Sequence, residues 1–147
     1  MSGRWQRGAA LVEMAIVTPL LLLVLIGLVE AGRAGDFAIK VSSAARAGVQ
    51  YGDQNLVTAL DNSGMQTAAT NDANMAGVTA VASHFCKCGN GTTSPSCLPS
   101  FCSSTYQIVY VEVVTTGTMS SLFDYAPLPA SLRNISITGT AIMRVLQ

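Results

Sequence analysis

Residues 7–29 read RGAALVEMAIVTPLLLLVLIGLV, and this stretch decides the fold. From Ala9 to Val29 it contains 21 residues, of which only Glu13 is charged. An α-helix rises about 1.5 Å per residue, so the run spans about 30 Å, the thickness of the hydrocarbon core of a bilayer. The stretch is therefore predicted to be a transmembrane helix.

The carboxylate of Glu13 is the unusual feature of this stretch. An ionisable group in the middle of a membrane helix costs roughly 2.5 to 3.5 kcal/mol, and Glu13 lies about one turn inside. Two interpretations stay open: the carboxylate is tolerated near the headgroups, or it has a positive partner. Cleavage between Gly8 and Ala9 would create such a partner, because the new ammonium group of Ala9 can neutralise Glu13 of a neighbouring chain.

The charges that flank the apolar run predict its orientation. Arg4 and Arg7 precede it, whereas acidic and basic residues are mixed behind it: Glu30, Arg33, Asp36 and Lys40. Cytoplasmic flanks carry the excess of Lys and Arg. The N-terminus is therefore predicted to be cytoplasmic, with everything after Val29 on the other side of the membrane.

Two alternatives to an assembling membrane protein stay open. A secreted soluble factor, cleaved within residues 31–34 (AGRA), would begin near Gly35, although the apolar run exceeds the about 7 to 15 residues of a usual signal and contains Glu13 and Pro19. An unprocessed, membrane-anchored ectodomain would bind a ligand through its loop at residues 86–102. The fate of the N-terminus separates these interpretations.

The N-terminal sequence resembles a known family. A basic leader that ends in Gly8, a glutamate five residues later and a long apolar helix look like the class III signal of type IV pilins. The string at residues 7–15 (RGAALVEMA), followed by Pro19, is similar to the TadE-like family of minor pilins or pseudopilins of the tight-adherence (Tad, Flp-type) pilus. Met14 stands where that family usually has an aromatic residue. Residues 44–48 and 137–144 resemble the family's post-membrane helix and closing strand.

This resemblance implies a structural and assembly subunit of a type IV (Tad) pilus in adhesion or surface attachment. Prepilin peptidase, a membrane aspartyl protease, would cut between Gly8 and Ala9. The implied partners are other pilins or further copies of the chain, the peptidase and the inner-membrane assembly platform. The implied location is the bacterial inner membrane, with the head outside, and then the pilus or cell surface.

The chain is predicted to be an α+β protein in three parts: a leader (1–8), a transmembrane and assembly helix with an extension (9–52), and a small head (53–147). The helix continues past the membrane because apolar residues recur at helical spacing up to Gly48, and Gly52 is the predicted stop. Pro19 predicts a bend near Val17. Small residues spaced by four favour a close helix contact, unless they are merely scattered: Gly27, Ala31 and Gly35.

The head is predicted to pair a second helix with a short antiparallel sheet. Ser63 and Gln66 form a capping-box pattern, and an apolar period continues that helix to Phe85. Residues 106–114 and 135–145 predict two neighbouring strands. An irregular connection at residues 115–133, which includes Gly117, Phe123, Tyr125, Pro127 and Pro129, has room for a further short strand.

Four cysteines fall in a predicted loop at residues 86–104: Cys86, Cys88, Cys97 and Cys102. Their spacing is not that of a zinc site, and an exported chain meets an oxidising compartment, so two disulfides are predicted. Pairing Cys86 with Cys88 would close a very small ring. Two arrangements therefore remain, Cys86–Cys97 with Cys88–Cys102, or Cys86–Cys102 with Cys88–Cys97.

The composition gives no sign of catalysis or nucleic-acid binding. Charged residues are 11% of the 147, against about 25% in typical domains, and the net charge is zero. The single histidine, His84, is interpreted as a helix-end residue and not as a metal ligand. No catalytic set, phosphate-binding loop or cofactor motif is present in the sequence. We expect no enzyme, no metal and no cofactor.

Overall fold

A computed structural model describes residues 3–95, 97, 102, 106–122 and 134–145, with side chains from residue 10 onward. A long helix, α1 (Gly3–Asp53), opens the chain. The chain divides into two compact units after Gly35, and each unit is described by itself. The predicted end of the helix at Gly52 lies one residue from the observed end.

The first unit contains the apolar part of α1. Its large apolar side chains are all exposed; Leu11, near the start, is 72% exposed and Leu28, near the end, is 68% exposed. In the described residues this is the one helix long and apolar enough to cross a membrane. Pro19 lies inside it, and the Thr18 hydroxyl donates to the main-chain oxygen of Met14 at 2.7 Å. A helix that is apolar all round and unburied requires a non-aqueous environment or a partner.

The second unit is the head, which begins at Asp36 within α1. It continues with helices α2 (Leu56–Leu60) and α3 (Asn62–Ala73) and strands β1 (Val78–Cys88), β2 (Thr93–Ser94), β3 (Gln107–Ser120) and β4 (Asn134–Arg144). All neighbouring strands are antiparallel, in the order β2-β1-β3-β4. The predicted α+β head is confirmed, and the two predicted strands are neighbours.

The core of the head lies between one face of the sheet and the helices α1 and α3. From Val109 to Met119 in β3 the odd-numbered residues are buried and the even-numbered ones are half-buried or exposed, as expected for a strand with one covered face. The helices contribute small and medium residues to this core: Val41, Ala44, Ala45, Val49, Met65, Ala69 and Ala73.

Helix α1 approaches the sheet closely because glycine occurs at the contact. A Cβ atom on Gly139 would lie 2.9 Å from the main-chain oxygen of Val41, and one on Gly117 would lie 2.8 Å from Cζ of Phe37. The Thr115 hydroxyl donates to the same Val41 oxygen at 2.7 Å. The buried hydroxyl of Thr115 therefore has a hydrogen-bond partner at the contact between α1 and the sheet.

The predicted second helix was wrong beyond Ala73. Asn74 (φ 44°) and Gly77 (φ 82°) adopt left-handed conformations, which end α3, and residues 78–88 form β1. In this strand Ala82 and Phe85 lie on opposite faces of the sheet, whereas a helix would bring them together. Pairing along the whole length of β1 with β3 outweighs the apparent helical period.

The predicted cap was also misplaced. Asp61, not Ser63, caps α3, and its side chain accepts from the amide of Gly64. A capping box does occur, but one helix earlier, where Asn55 and Thr58 open α2.

The predicted loop at residues 86–104 and the irregular connection at residues 115–133 need correction at their edges. Cys86 and Cys88 belong to β1, residues 93–94 form β2, and β3 continues through Gly117 to Ser120. Residues 123–133, with Pro127 and Pro129, lie outside the described residues.

Candidate assembly site

The predicted cleavage position lies near the start of α1. Gly8 and Ala9 belong to the helix, whose described side chains begin one residue later. Their backbone is therefore helical on both sides of the peptide bond at which cleavage is predicted. Cleavage itself stays a prediction.

Glu13 stands on an exposed apolar surface. Its side chain is exposed, and no described residue forms an ion pair with it. The residues three and four positions away on the helix are Ala9, Ala10, Ile16 and Val17, and none of these residue types has a hydrogen-bonding side chain. If this surface enters lipid or a bundle of helices, the carboxylate needs a cation from elsewhere or a proton.

The small residues Gly27, Ala31 and Gly35 share one side of α1, because residues four apart are neighbours on a helix. A Cβ atom on Gly27 or Gly35 would meet nothing within 4 Å. This surface is therefore unused by the described part of the chain, and another helix is able to approach it closely. Whether it does so stays a prediction, as does the bend at Pro19.

Charged residues resume where the apolar run ends. In the first unit Arg33 Nη1 lies 3.0 Å from Glu30 Oε2, and in the head Lys40 Nζ lies 2.8 Å from Asp36 Oδ2. Exposed pairs of this kind contribute about 0 to 1 kcal/mol. These four charged residues follow the end of the continuous apolar run at Val29.

A polar contact that the sequence did not reveal joins α1 to α3. The Tyr51 hydroxyl donates to Asp61 Oδ2 at 3.0 Å, while Asp61 Oδ1 accepts from the Gly64 amide at 2.9 Å and from the Ser63 hydroxyl at 2.7 Å. The Gly64 amide, followed by the two hydroxyls, lowers the pKa of Asp61. The hydrogen bond to Asp61, followed by its negative charge, raises the pKa of Tyr51. This contact stabilises the junction between α1 and α3. The one sign of it in the sequence is the position of Asp61 directly before Asn-Ser-Gly.

The disulfides resolve the alternatives left open by the sequence. Cys86 pairs with Cys97 and Cys88 with Cys102, with Cα separations of 5.4 and 5.5 Å. Cys86 and Cys88 are two residues apart in β1 and therefore point to the same, buried face. The crosslinks tie Cys97 and Cys102 to the end of this strand.

His84 lies in β1 and not at a helix end, which corrects that interpretation. Its Nδ1 atom is 3.4 Å from Asn62 Oδ1, at the start of α3. Within the described ranges, no three His, Cys, Asp or Glu side chains are grouped so that they can hold a metal ion.

A family model described as TadE-like protein matches residues 8–50. The match confirms the resemblance seen in the N-terminal sequence, and it covers the apolar stretch, Glu13 and the part of α1 from Asp36 to residue 50 that belongs to the head. The TadE-like family is a structural family associated with the Tad pilus. No curated protein and no solved structure matches the chain.

Proposed function

We propose that this chain, whose residues 8–50 match the TadE-like family, is a pilin or pseudopilin that acts as a structural and assembly subunit of a Tad pilus in adhesion or surface attachment. One observation carries the proposal: the large apolar side chains from Leu11 to Val29 are all exposed and surround a single carboxylate. Such a surface is unstable in water and has to be covered by lipid before assembly and by other helices afterwards.

Insertion comes first in the proposed sequence of events. The basic leader stays in the cytoplasm, the helix spans the inner membrane and the head folds outside. The two disulfides support this orientation, because disulfides persist in oxidising compartments and are rare in the cytosol.

Cleavage after Gly8 by prepilin peptidase follows. It removes Arg4 and Arg7 and leaves Ala9 with a new ammonium group, four residues before Glu13. The mature helix thus carries one positive and one negative group within about 6 Å along its axis.

Glu13 then guides lateral assembly. A carboxylate in an apolar bundle is costly when unpaired, and a salt bridge to the Ala9 ammonium group of an adjacent subunit offsets that cost. The open surface at Gly27, Ala31 and Gly35 allows the paired helices to approach. The partners are other pilins or copies of this chain, supplied by the inner-membrane assembly platform.

The test is the mass and N-terminal sequence of the mature chain, isolated from membranes and from sheared filaments. We expect a chain that begins at Ala9. A mature chain that retains Met1 to Gly8 identifies the unprocessed, anchored ectodomain instead. A chain that begins near Gly35 and is released from the membrane identifies a secreted factor, and either result rejects the proposal.

A further inference from the structure

The two edges of the sheet differ in their protection. At one edge β2 is only two residues long and pairs with Cys86 and Lys87, while Cys97 and Cys102 are crosslinked to β1; residues 78–85 of β1 have no described strand on that side. At the other edge β4 pairs with β3 over eleven residues without a bulge. Native proteins protect exposed edges with Lys, Pro, bulges or short strands. From Asn134 to Met143, β4 has no charge and no proline, so this edge of the described sheet lacks these protections along almost all of its paired length.

The backbone groups that β4 presents at this edge follow from its register. The amide of Val145 donates to the oxygen of Val109 at 2.9 Å, one step beyond the opposed pair Tyr110 and Arg144. Opposed pairs in an antiparallel ladder alternate between bonded and non-bonded. Odd-numbered residues of β4 therefore bond to β3, and the even-numbered residues direct their N–H and C=O groups outward: Ser136, Thr138, Thr140 and Ile142.

A groove of about 300 Å³ lies beside this edge, between α1 and β4. It is lined by Arg46, Val49 and Gln50 of α1 and by residues 140–143 of β4. Arg46 is exposed and forms no ion pair with any residue in the described ranges. The groove thus combines the apolar residues Val49 and 141–143 with one cation that has no described counter-ion.

We propose that β4 accepts an extended segment of another protein as a fifth strand, and that this segment directs apolar side chains and one carboxylate towards α1. The outward N–H and C=O groups of β4 would form hydrogen bonds with the main chain of the added segment, and alternate side chains of that segment would enter the groove. The carboxylate would pair with Arg46. This site is independent of cleavage at Gly8 and of pairing by Glu13.

The charge of the groove favours a different protein over a second copy. If a copy joined edge to edge, it would offer β1, β2 or β4, and none of these strands contains Asp or Glu. The added strand would then bring no carboxylate to Arg46.

Hydrogen exchange of the full-length chain in lipid nanodiscs tests the proposal. The probe is a short peptide of alternating valine and threonine with a glutamate in place of the central valine, and its control has glutamine there. At about 1 mM peptide, we expect the amides of Thr138, Thr140 and Ile142 to become protected, with about tenfold weaker binding of the control. In the chain alone, these amides should exchange faster than those of their odd-numbered neighbours.

Two variants make the test specific. Thr140→Pro removes an outward N–H without removing a β3 bond, so binding should be lost, whereas Thr140→Val should bind normally. Arg46→Gln should bind both peptides equally weakly. The proposal is overturned if the outward amides are protected in the chain alone, by its own residues or by a second copy. It is also overturned if no protection appears with the peptide, or if Arg46→Gln keeps the preference for glutamate.

Discussion

The hydroxyl of Thr115, in the middle of β3, donates to the main-chain oxygen of Val41 in α1 at 2.7 Å, and both residues are fully buried. A second contact of 3.3 Å reaches the oxygen of Gly139 in β4. The side chain of Thr115 thus connects α1, β3 and β4 at the point where Gly139 allows α1 to approach β4 closely.

Replacing Thr115 by valine should destabilise the head by about 0.5 to 1.5 kcal/mol, because the shape is kept and the buried hydrogen bond is lost. Urea unfolding of the full-length chain, followed by far-UV circular dichroism, measures the change. Thr116→Val, on the opposite face of the same strand, is the matched control and should shift stability by less than about 0.5 kcal/mol. Equal effects would show that the buried hydroxyl has no special role.

The Tyr51–Asp61 contact predicts a dependence of stability on pH. The folded state lowers the pKa of Asp61, so its stabilisation is full above the unfolded pKa of about 3.9 and is lost as pH falls through the folded value. Asp61→Asn should therefore show a smaller loss of stability in acid than the wild type, measured by urea unfolding between about pH 2 and pH 6. Asp72→Asn, at an exposed position of α3, should keep the wild-type dependence. If Asp61→Asn also keeps the wild-type dependence, the Tyr51–Asp61 contact does not contribute to the loss of stability in acid.

The same contact acts in the opposite direction in alkali. The folded state raises the pKa of Tyr51, so its stabilisation is present below the unfolded value of about 10 and is lost as pH rises through the folded value. Tyr51→Phe should flatten this alkaline loss, while Tyr106→Phe should not, since Tyr106 is 70% exposed.

Changing Gly8 to leucine should block proposed processing, because a bulky side chain at the cut does not fit a site that accepts glycine. Immunoblots of membranes should show an uncut precursor, heavier than the mature chain by the mass of the leader. Gly3→Leu, within the leader, should be cut normally. If Gly8→Leu has the same mass pattern as the wild type, the chain is cut at another position or is not cut.

Replacing Glu13 by glutamine should leave insertion and cleavage intact and should reduce incorporation into sheared filaments by at least about tenfold, which corresponds to roughly 1.4 kcal/mol of lost pairing. Quantitative immunoblots of filament and membrane fractions measure the ratio. The control is Glu30→Gln, beyond the apolar run. Undiminished incorporation of Glu13→Gln would remove the assigned role of the carboxylate.

Elements that depend on their own composition could be predicted from the sequence. The apolar run defines the first part of α1 without reference to other residues, and the β-branched stretch at residues 106–114 predicts most of β3. The predicted assembly residues were selected in the same way, from a charge, a proline or small residues in an otherwise apolar helix.

Elements that depend on distant partners could not be predicted. Met75, Val78, Ala82 and Phe85 follow a helical spacing, and only the pairing of β1 with β3 makes a strand of most of them. The disulfide pairing depends on where Cys97 and Cys102 lie beside β1, which the spacing of the cysteines in the sequence does not define. The role of Asp61 depends on Tyr51, ten residues earlier and in another helix.

The position of two cysteines on one inward face of β1 has a practical consequence. Their crosslinks form only where thiols are oxidised, so a head with all four sulfurs bonded has spent time outside the reducing cytosol. Thiol alkylation of the cellular pool therefore reports how many molecules have been exported. This count needs neither a filament nor the proposed cleavage after Gly8.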